Sequence, residues 1–198
     1  AWDRIREEVQ EGHQAYIVAP RISASVSEDA DMDFLMGDTP TSITSVEELG
    51  PQLQSGPLQG LKVAPLHGRL SSEEKDATMR AFSNKEVDVL VATTVIEVGV
   101  DVPNATVMVI MDADRFGVSQ LHQLRGRIGR GTSPGLCLLV TSAPSESSAR
   151  IRLNAVAATL DGFELSKIDL EQRREGDVLG THQSGGKSHL RLLRVLRD

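Results

Sequence analysis

The sequence is poor in the features that mark secreted and membrane proteins. It has one cysteine, Cys137, among 198 residues, which excludes an internal disulfide and is typical of a reducing compartment. No apolar run approaches the roughly 18 residues that a membrane-spanning helix needs. The N-terminus does not have the layout of a signal peptide. We therefore expect a cytoplasmic location and no membrane partner.

The sequence also lacks the phosphate-binding loop of nucleotide hydrolases. The pattern Gly-x-x-x-x-Gly-Lys-Ser/Thr is absent, and neither an acidic cluster suited to Mg²⁺ nor a metal-ligand spacing stands out. We therefore predict no metal site in this chain. If a nucleoside triphosphate is involved, this chain would supply arginines that reach the transferring phosphate from across an interface.

Charge is distributed unevenly along the chain, whose net charge is −7. Residues 1–119 have 9 Lys and Arg against 20 Asp and Glu, a balance of −11, whereas residues 120–198 have 12 against 8, a balance of +4. A phosphate group responds to nearby charge more than to the total. The basic part begins at Gln120–Gly131, where three arginines and three glycines lie within residues 125–131.

Apolar strands alternate with helical segments over residues 1–160, which predicts an α/β fold with a parallel sheet between layers of helices. Residues 1–12 are amphipathic, and capping boxes at Ser45 with Glu48 and at Ser71 with Glu74 each predict a helix. Residues 21–44 have little periodicity and are interpreted as a long surface loop. The predicted strands are 15–19, 61–65, 87–92, 106–111 and 136–140.

Three polar segments follow these strands, and open parallel sheets bind ligands at the carboxyl ends of their strands. The first is His67-Gly68-Arg69, the second runs from Thr93 to Pro103, and the third is Gln120–Gly131. Each also has a simpler interpretation: a strand-to-helix turn, two β-forming threonines with an aspartate in a turn, and a solvated helix end. Together they favour contacts with phosphate groups, because arginine forks, hydroxyls and helix N-termini all bind phosphate.

The second and third segments resemble motifs of superfamily 2 helicases. Residues 91–101, Val-Ala-Thr-Thr-Val-Ile-Glu-Val-Gly-Val-Asp, resemble motif V, and residues 123–130, Gln-Leu-Arg-Gly-Arg-Ile-Gly-Arg, resemble motif VI. Residues 114–122 and the tail at 169–185 are similar to the RecG branch of these helicases. The tail is similar to the TRG motif that RecG and the transcription-repair coupling factor Mfd share, although Arg174 and Asp177 depart from its usual residues.

The resemblance implies a role for each matched residue. The motif VI arginines Arg127 and Arg130 would be catalytic, approaching the triphosphate from the second motor lobe. The residues expected to contact ATP are Gln123, Gly99, Asp101 (at the ribose) and Gly126. Those expected to contact DNA, or to link nucleotide binding to DNA movement, are His67, Arg69, Thr93, Thr94, Arg173 and Gln183.

The resemblance also implies an architecture and an activity. Residues 1–160 would form the second RecA-like lobe, and residues 161–198 the TRG region with a helical arm. The whole protein would be a monomeric ATP-dependent translocase that remodels branched double-stranded DNA, such as stalled forks and Holliday junctions. Its first lobe, which would hold the Mg²⁺ of ATP, and its wedge domain would belong to the same polypeptide. The alternatives are the Mfd motor lobe and, from another class, a nucleic-acid-binding module without catalysis.

These expectations predict that the 198-residue chain alone does not hydrolyse ATP, since the phosphate-binding loop is missing. The measurement is phosphate release by the purified chain with and without branched DNA. Steady turnover above a mock-purified control would contradict the assignment of this chain to half of an active site.

Overall fold

A computed structural model of the chain describes residues 1–21, 44–93, 102–131, 133–159, 161–165, 167 and 170. The helices are α1 (Trp2–Gln10), α2 (Val46–Ser55), α3 (Ser72–Ser83), α4 (Val118–Arg125) and α5 (Ser148–Ala158), with a short 3-10 helix at Ala113–Arg115. The strands are β1 (Gln14–Val18), β2 (Val63–Leu66), β3 (Val89–Ala92), β4 (Ala105–Ile110) and β5 (Leu136–Leu139). The predicted loop lies almost wholly outside the described residues, as do the TRG motif and the last helix.

The five strands form one parallel sheet in the order β2-β3-β1-β4-β5. β1 lies at its centre, where Tyr16 pairs with Leu90 on one side and with Met108 on the other. The predicted α/β class is therefore confirmed. None of the described helices is long and apolar enough to cross a bilayer.

Successive residues of the central strand pack into opposite layers of the core, as the period of two in a strand requires. Tyr16 and Val18 face α4, α5 and Phe82 of α3, and the Tyr16 and Phe82 ring centroids lie 5.0 Å apart. Ala15 and Ile17 face the other layer, with Ile5 of α1 and the apolar side of α2. A sheet buried on both faces explains the nearly continuous apolar runs of its central strands.

The helix signals were confirmed in part. At α3 the capping box forms in full, because Ser71 Oγ accepts from Glu74 N at 3.2 Å and Ser71 N donates to the Glu74 carboxylate at 2.8 Å. At α2 the predicted box is wrong: the Ser45 hydroxyl donates to the Glu48 carboxylate and caps no backbone group. Residues 162–165 are helical, and Leu165 is buried in the core of the lobe.

A buried carboxylate connects α1 to the central strands. Glu8 accepts hydrogen bonds from Thr106 Oγ1 at 2.6 Å and from His13 Nδ1 at 2.8 Å, and it pairs with the guanidinium of Arg4. The hydrogen bond from Thr106, followed by the contacts with His13 and Arg4, lowers the pKa of Glu8 although burial opposes this. Glu8 is therefore ionised in the folded protein at neutral pH.

Replacing Glu8→Gln should lower the free energy of unfolding by about 1–2 kcal/mol at pH 7, since hydrogen bonds to a buried charged group are lost. A carboxyl group whose pKa is lowered by folding stabilises the protein above its unfolded pKa, and this stabilisation disappears as the pH falls through the folded value. The difference between the two proteins should therefore shrink below about pH 4.

Urea unfolding from pH 3 to pH 7 measures this difference. The control is Glu7→Gln on the same helix, whose exposed ion pair with Arg4 should contribute less than about 0.5 kcal/mol. An equal loss for Glu8→Gln at pH 3 and pH 7 would contradict a role for its charge.

Candidate nucleotide and nucleic-acid interface

The predicted contact residues are divided between the two edges of the sheet. At the carboxyl edge His67 and Thr93 follow neighbouring strands, and Thr93 N donates to Leu66 O at 3.2 Å. Both side chains are buried, with 8% and 5% of their surface exposed. His67 Nδ1 has no hydrogen-bond partner among the described residues, whereas Arg69 is exposed and pairs with Glu47 at 3.3 Å. The structure thus brings His67, Arg69 and Thr93 to one edge.

The motif VI segment lies at the opposite, amino edge, which corrects our expectation for the third polar segment. α4 begins after the carboxyl end of β4 and returns the chain across the sheet, so its last residue, Arg125, precedes the start of β5. The residues that follow, 126–131 and 133–135, are here called the arginine loop. Gly129 N of this loop lies 3.4 Å from the carbonyl oxygen of Ala105, the first residue of β4.

Two glycines close the base of the arginine loop. Gly129 has φ +68°, and an added Cβ would lie 2.4 Å from Gly135 N, so both its conformation and its surroundings exclude a side chain. Gly135 is equally crowded, because its Cβ would lie 2.8 Å from Gly129 N. At Gly131 a Cβ would lie 2.7 Å from the carbonyl oxygen of Pro103. These glycines permit close contact of backbone with backbone, and they fix the segment that carries Arg130.

The first arginine of motif VI has a structural task. Arg125 donates to the carbonyl oxygens of Val156 and Thr159, both at 2.7 Å, and lies 3.2 Å from His122 Nδ1. A cation is favourable at these carbonyls, which end α5 and carry the negative end of its dipole. Arg125 therefore connects the end of α4 to the end of α5.

The other two arginines also lie near the end of α4. Arg127 is half-buried, and Arg130 is exposed and donates from Nε to Gly126 O at 2.8 Å. Gln123 and Gly126 are exposed in the same turn. The structure therefore brings together four of the predicted nucleotide and catalytic residues. A guanidinium on a short, fixed loop is suited to a phosphate presented by another domain.

The remaining predicted residues, Gly99, Asp101, Thr94, Arg173 and Gln183, lie outside the described part of the chain. Val102, the next residue after the motif V segment, is 4% exposed and packs in the core. Pro103 then contacts Gly131. Residues 102 and 103, which directly follow the motif V segment, are therefore adjacent to the arginine loop at the amino edge.

One group of three potential metal ligands occurs in the described part of the chain: Glu8, Glu11 and His13 lie within 4.8 Å of one another. Glu8 and His13 already bond to each other, and Glu8 also bonds to Thr106. These hydrogen bonds account for the positions of Glu8 and His13.

Sequence reasoning missed the role of Gly135. Its partner, Gly129, is six residues away, and only the Pro134-Gly135 dipeptide before a strand could have drawn attention to it. The contacts of His13 at the start of β1 were missed as well, because a single polar residue before a strand has no distinctive pattern.

Comparison with known proteins matches this chain to helicases. The model of the helicase conserved C-terminal domain family matches residues 2–132. The chain is 58% identical over 193 residues to the ATP-dependent DNA helicase RecG of Mycobacterium tuberculosis, covering 98% of this chain and 25% of that protein. It is 46% identical over 184 residues to the same-named protein of Synechocystis, covering 93% of this chain and 20% of that one.

Among solved structures, one described as RecG bound to a three-way DNA junction matches with a TM-score of 0.65 and 39% identity, covering 89% of this chain and 21% of that chain. Yeast Dbp5, at 19% identity and a TM-score of 0.52, shares the fold. The predicted resemblance to RecG and the RecA-like fold are confirmed, and Mfd is not favoured by these relatives. The chain spans about a quarter of the length of the curated relatives.

The glycine pair at the base of the loop makes a stability prediction. Gly129→Ala should lower the free energy of unfolding by about 3 kcal/mol, because it adds a backbone collision to the strain of a positive φ. Gly60→Ala is the matched control, since Gly60 has φ +90° but open space around it, and it should cost only about 1–2 kcal/mol. Denaturant unfolding of the two variants measures the difference, and equal losses would show that the Gly129–Gly135 contact is unimportant.

Proposed function

This chain belongs to the helicase conserved C-terminal domain family, in its RecG branch, and from that membership we propose that it is the second motor lobe of an ATP-dependent translocase acting on branched double-stranded DNA. The observation that carries the proposal is the arginine loop itself, whose glycine-closed backbone places the half-buried Arg127 and the exposed Arg130 within four residues of each other. Such a loop supports a pair of cations aimed at phosphate on a neighbouring lobe.

The two edges of the sheet suggest a division of labour. A strand of four to six residues spans about 13–20 Å, so the arginine loop and the group of His67, Arg69 and Thr93 are well separated. We assign nucleotide contact to the amino edge and DNA contact to the carboxyl edge. Because His67 and Thr93 are buried, Arg69 is the residue of this group that is best placed for an initial phosphate contact.

The proposed cycle closes the two lobes on ATP. Arg127 and Arg130 would stabilise charge on the γ-phosphate, with Gln123 and Gly126 beside them and Asp101 at the ribose. Mg²⁺ would be held by the first lobe. Thr93 and Thr94 would hold the DNA backbone, while Arg173 and Gln183 would convert closure into a DNA step. Division of the chain near residue 160 remains a prediction.

The partners follow from the same proposal. The chain would act with the first lobe and a wedge domain of its own polypeptide, as a monomer, and its DNA substrate would be branched. The support for branched DNA is the RecG structure described as bound to a three-way junction. A nucleic-acid-binding module without catalysis is the competing proposal, and the experiment below separates the two.

In the full-length protein, Arg130→Ala should lower the kcat of DNA-stimulated ATP hydrolysis by about a thousandfold or more, as for other arginines that reach a transferring phosphate. Its melting temperature should change by no more than about two degrees, because an exposed arginine contributes little to stability. Arg130→Lys should restore little, since lysine lacks the planar fork.

The control is Arg80→Ala, an exposed arginine on α3, which should leave turnover unchanged. Branched-DNA binding is measured alongside hydrolysis. Normal turnover by Arg130→Ala together with weakened DNA binding would refute the catalytic proposal and support the binding module.

A further inference from the structure

Hydrogen bonds between side chains connect the arginine loop to the start of β1, the central strand. Ser133 Oγ lies 3.3 Å from His13 Nε2, and the opposite ring nitrogen, Nδ1, lies 2.8 Å from the carboxylate of Glu8. We propose that His13 is a positioning residue for phosphate transfer: held by Glu8, it fixes Ser133 and thereby the arginine loop at the amino edge. This inference rests on the proposed function, because it concerns the placement of Arg127 and Arg130.

The chemistry of the three groups fixes the direction of each hydrogen bond. An ionised carboxylate only accepts, so the proton on His13 Nδ1 is donated to Glu8. In the neutral ring Nε2 then accepts from the Ser133 hydroxyl, and in the protonated ring it donates to the same oxygen. The contact persists in both states. Glu8 orients the ring as the carboxylate partner of a metal-bound or catalytic histidine does.

Glu8 is itself held from two further elements. Thr106 of β4 donates to its carboxylate at 2.6 Å, and Arg4 pairs with it one turn earlier on α1. His13 is therefore held in place by contacts that involve α1, the start of β1 and β4. Within the arginine loop, His13 contacts Ser133, which lies three residues after Arg130.

The hydrogen bond between His13 and Ser133 holds a different part of the arginine loop from the part that the glycines close. The glycine contact closes the base of the loop at residues 129 and 135, whereas Ser133 lies inside the loop. His13 and Ser133 also line an open cleft with Lys85 and Asn104, and both are half-buried, so their bond lies beside the core and not within it. Its loss should loosen the arginines and leave the fold intact. Displacement of a catalytic group by about 1 Å can cost a hundredfold in rate, so partial loosening has a measurable effect.

The test measures DNA-stimulated ATP hydrolysis by the full-length protein. Ser133→Ala and His13→Ala should each lower kcat by about three- to tenfold, the value of one neutral hydrogen bond, with KM for ATP changed by less than about twofold. The double variant should be no worse than the poorer single variant, because both remove the same contact. Ser133→Thr keeps the hydroxyl and should retain at least about half of the parent kcat.

Ser83→Ala is the matched control, since this serine lines the same cleft without a place in the chain of hydrogen bonds, and its kcat should be unchanged. If His13→Ala fails to fold, Ser133→Ala decides the question alone. Unchanged kcat in Ser133→Ala, or additive losses in the double variant, would overturn the positioning role. Arg130→Ala, measured in parallel, separates the two proposals. Normal turnover by Arg130→Ala would refute the proposed function itself. Loss of turnover in Arg130→Ala together with an unchanged kcat in Ser133→Ala would refute only the role of His13.

Discussion

The parallel direction of all five strands is the constraint on which the rest of this lobe depends. Every connection between parallel strands must carry the chain from the carboxyl edge of the sheet back to the amino edge. Polar residues that directly follow a strand, such as His67 and Thr93, therefore collect at one edge. Residues that follow a returning helix, such as Arg127 and Arg130, collect at the other. One rule of chain direction therefore separates the predicted contact residues into two groups.

Side chains form hydrogen bonds with the backbone groups of the amino edge. The Gln14 amide donates to Phe82 O at 2.7 Å and to Val87 O at 2.6 Å, which ties the start of β1 to the turn before β3. The Asn104 amide donates to Gly12 O and to the oxygen of Gln14. Buried polar groups that are fully paired stabilise one arrangement strongly. The arginine loop thus lies on a base of hydrogen bonds that could hold it at a fixed distance from a partner lobe.

Much of the fold was predictable because its signals are local. Apolar runs located all five strands to within about two residues, and Ser71 with Glu74 located the start of α3. The position of the arginine loop was missed because we expected ligand contacts only at the carboxyl edge. The Gly129–Gly135 contact and the bonds of Arg125 to backbone carbonyls could not be predicted. Each depends on residues brought together by the completed fold, and a carbonyl group has no sequence signature.

Hydrogen–deuterium exchange of the full-length protein tests most directly the claim that the two edges bind different ligands. A non-hydrolysable ATP analogue alone should slow exchange at residues 102–104 and 126–131, at the amino edge. Branched DNA alone should slow exchange at residues 66–70, at the carboxyl edge, and leave the arginine loop unchanged. Protection of the carboxyl edge by nucleotide, or of the arginine loop by DNA in the absence of nucleotide, would contradict the account.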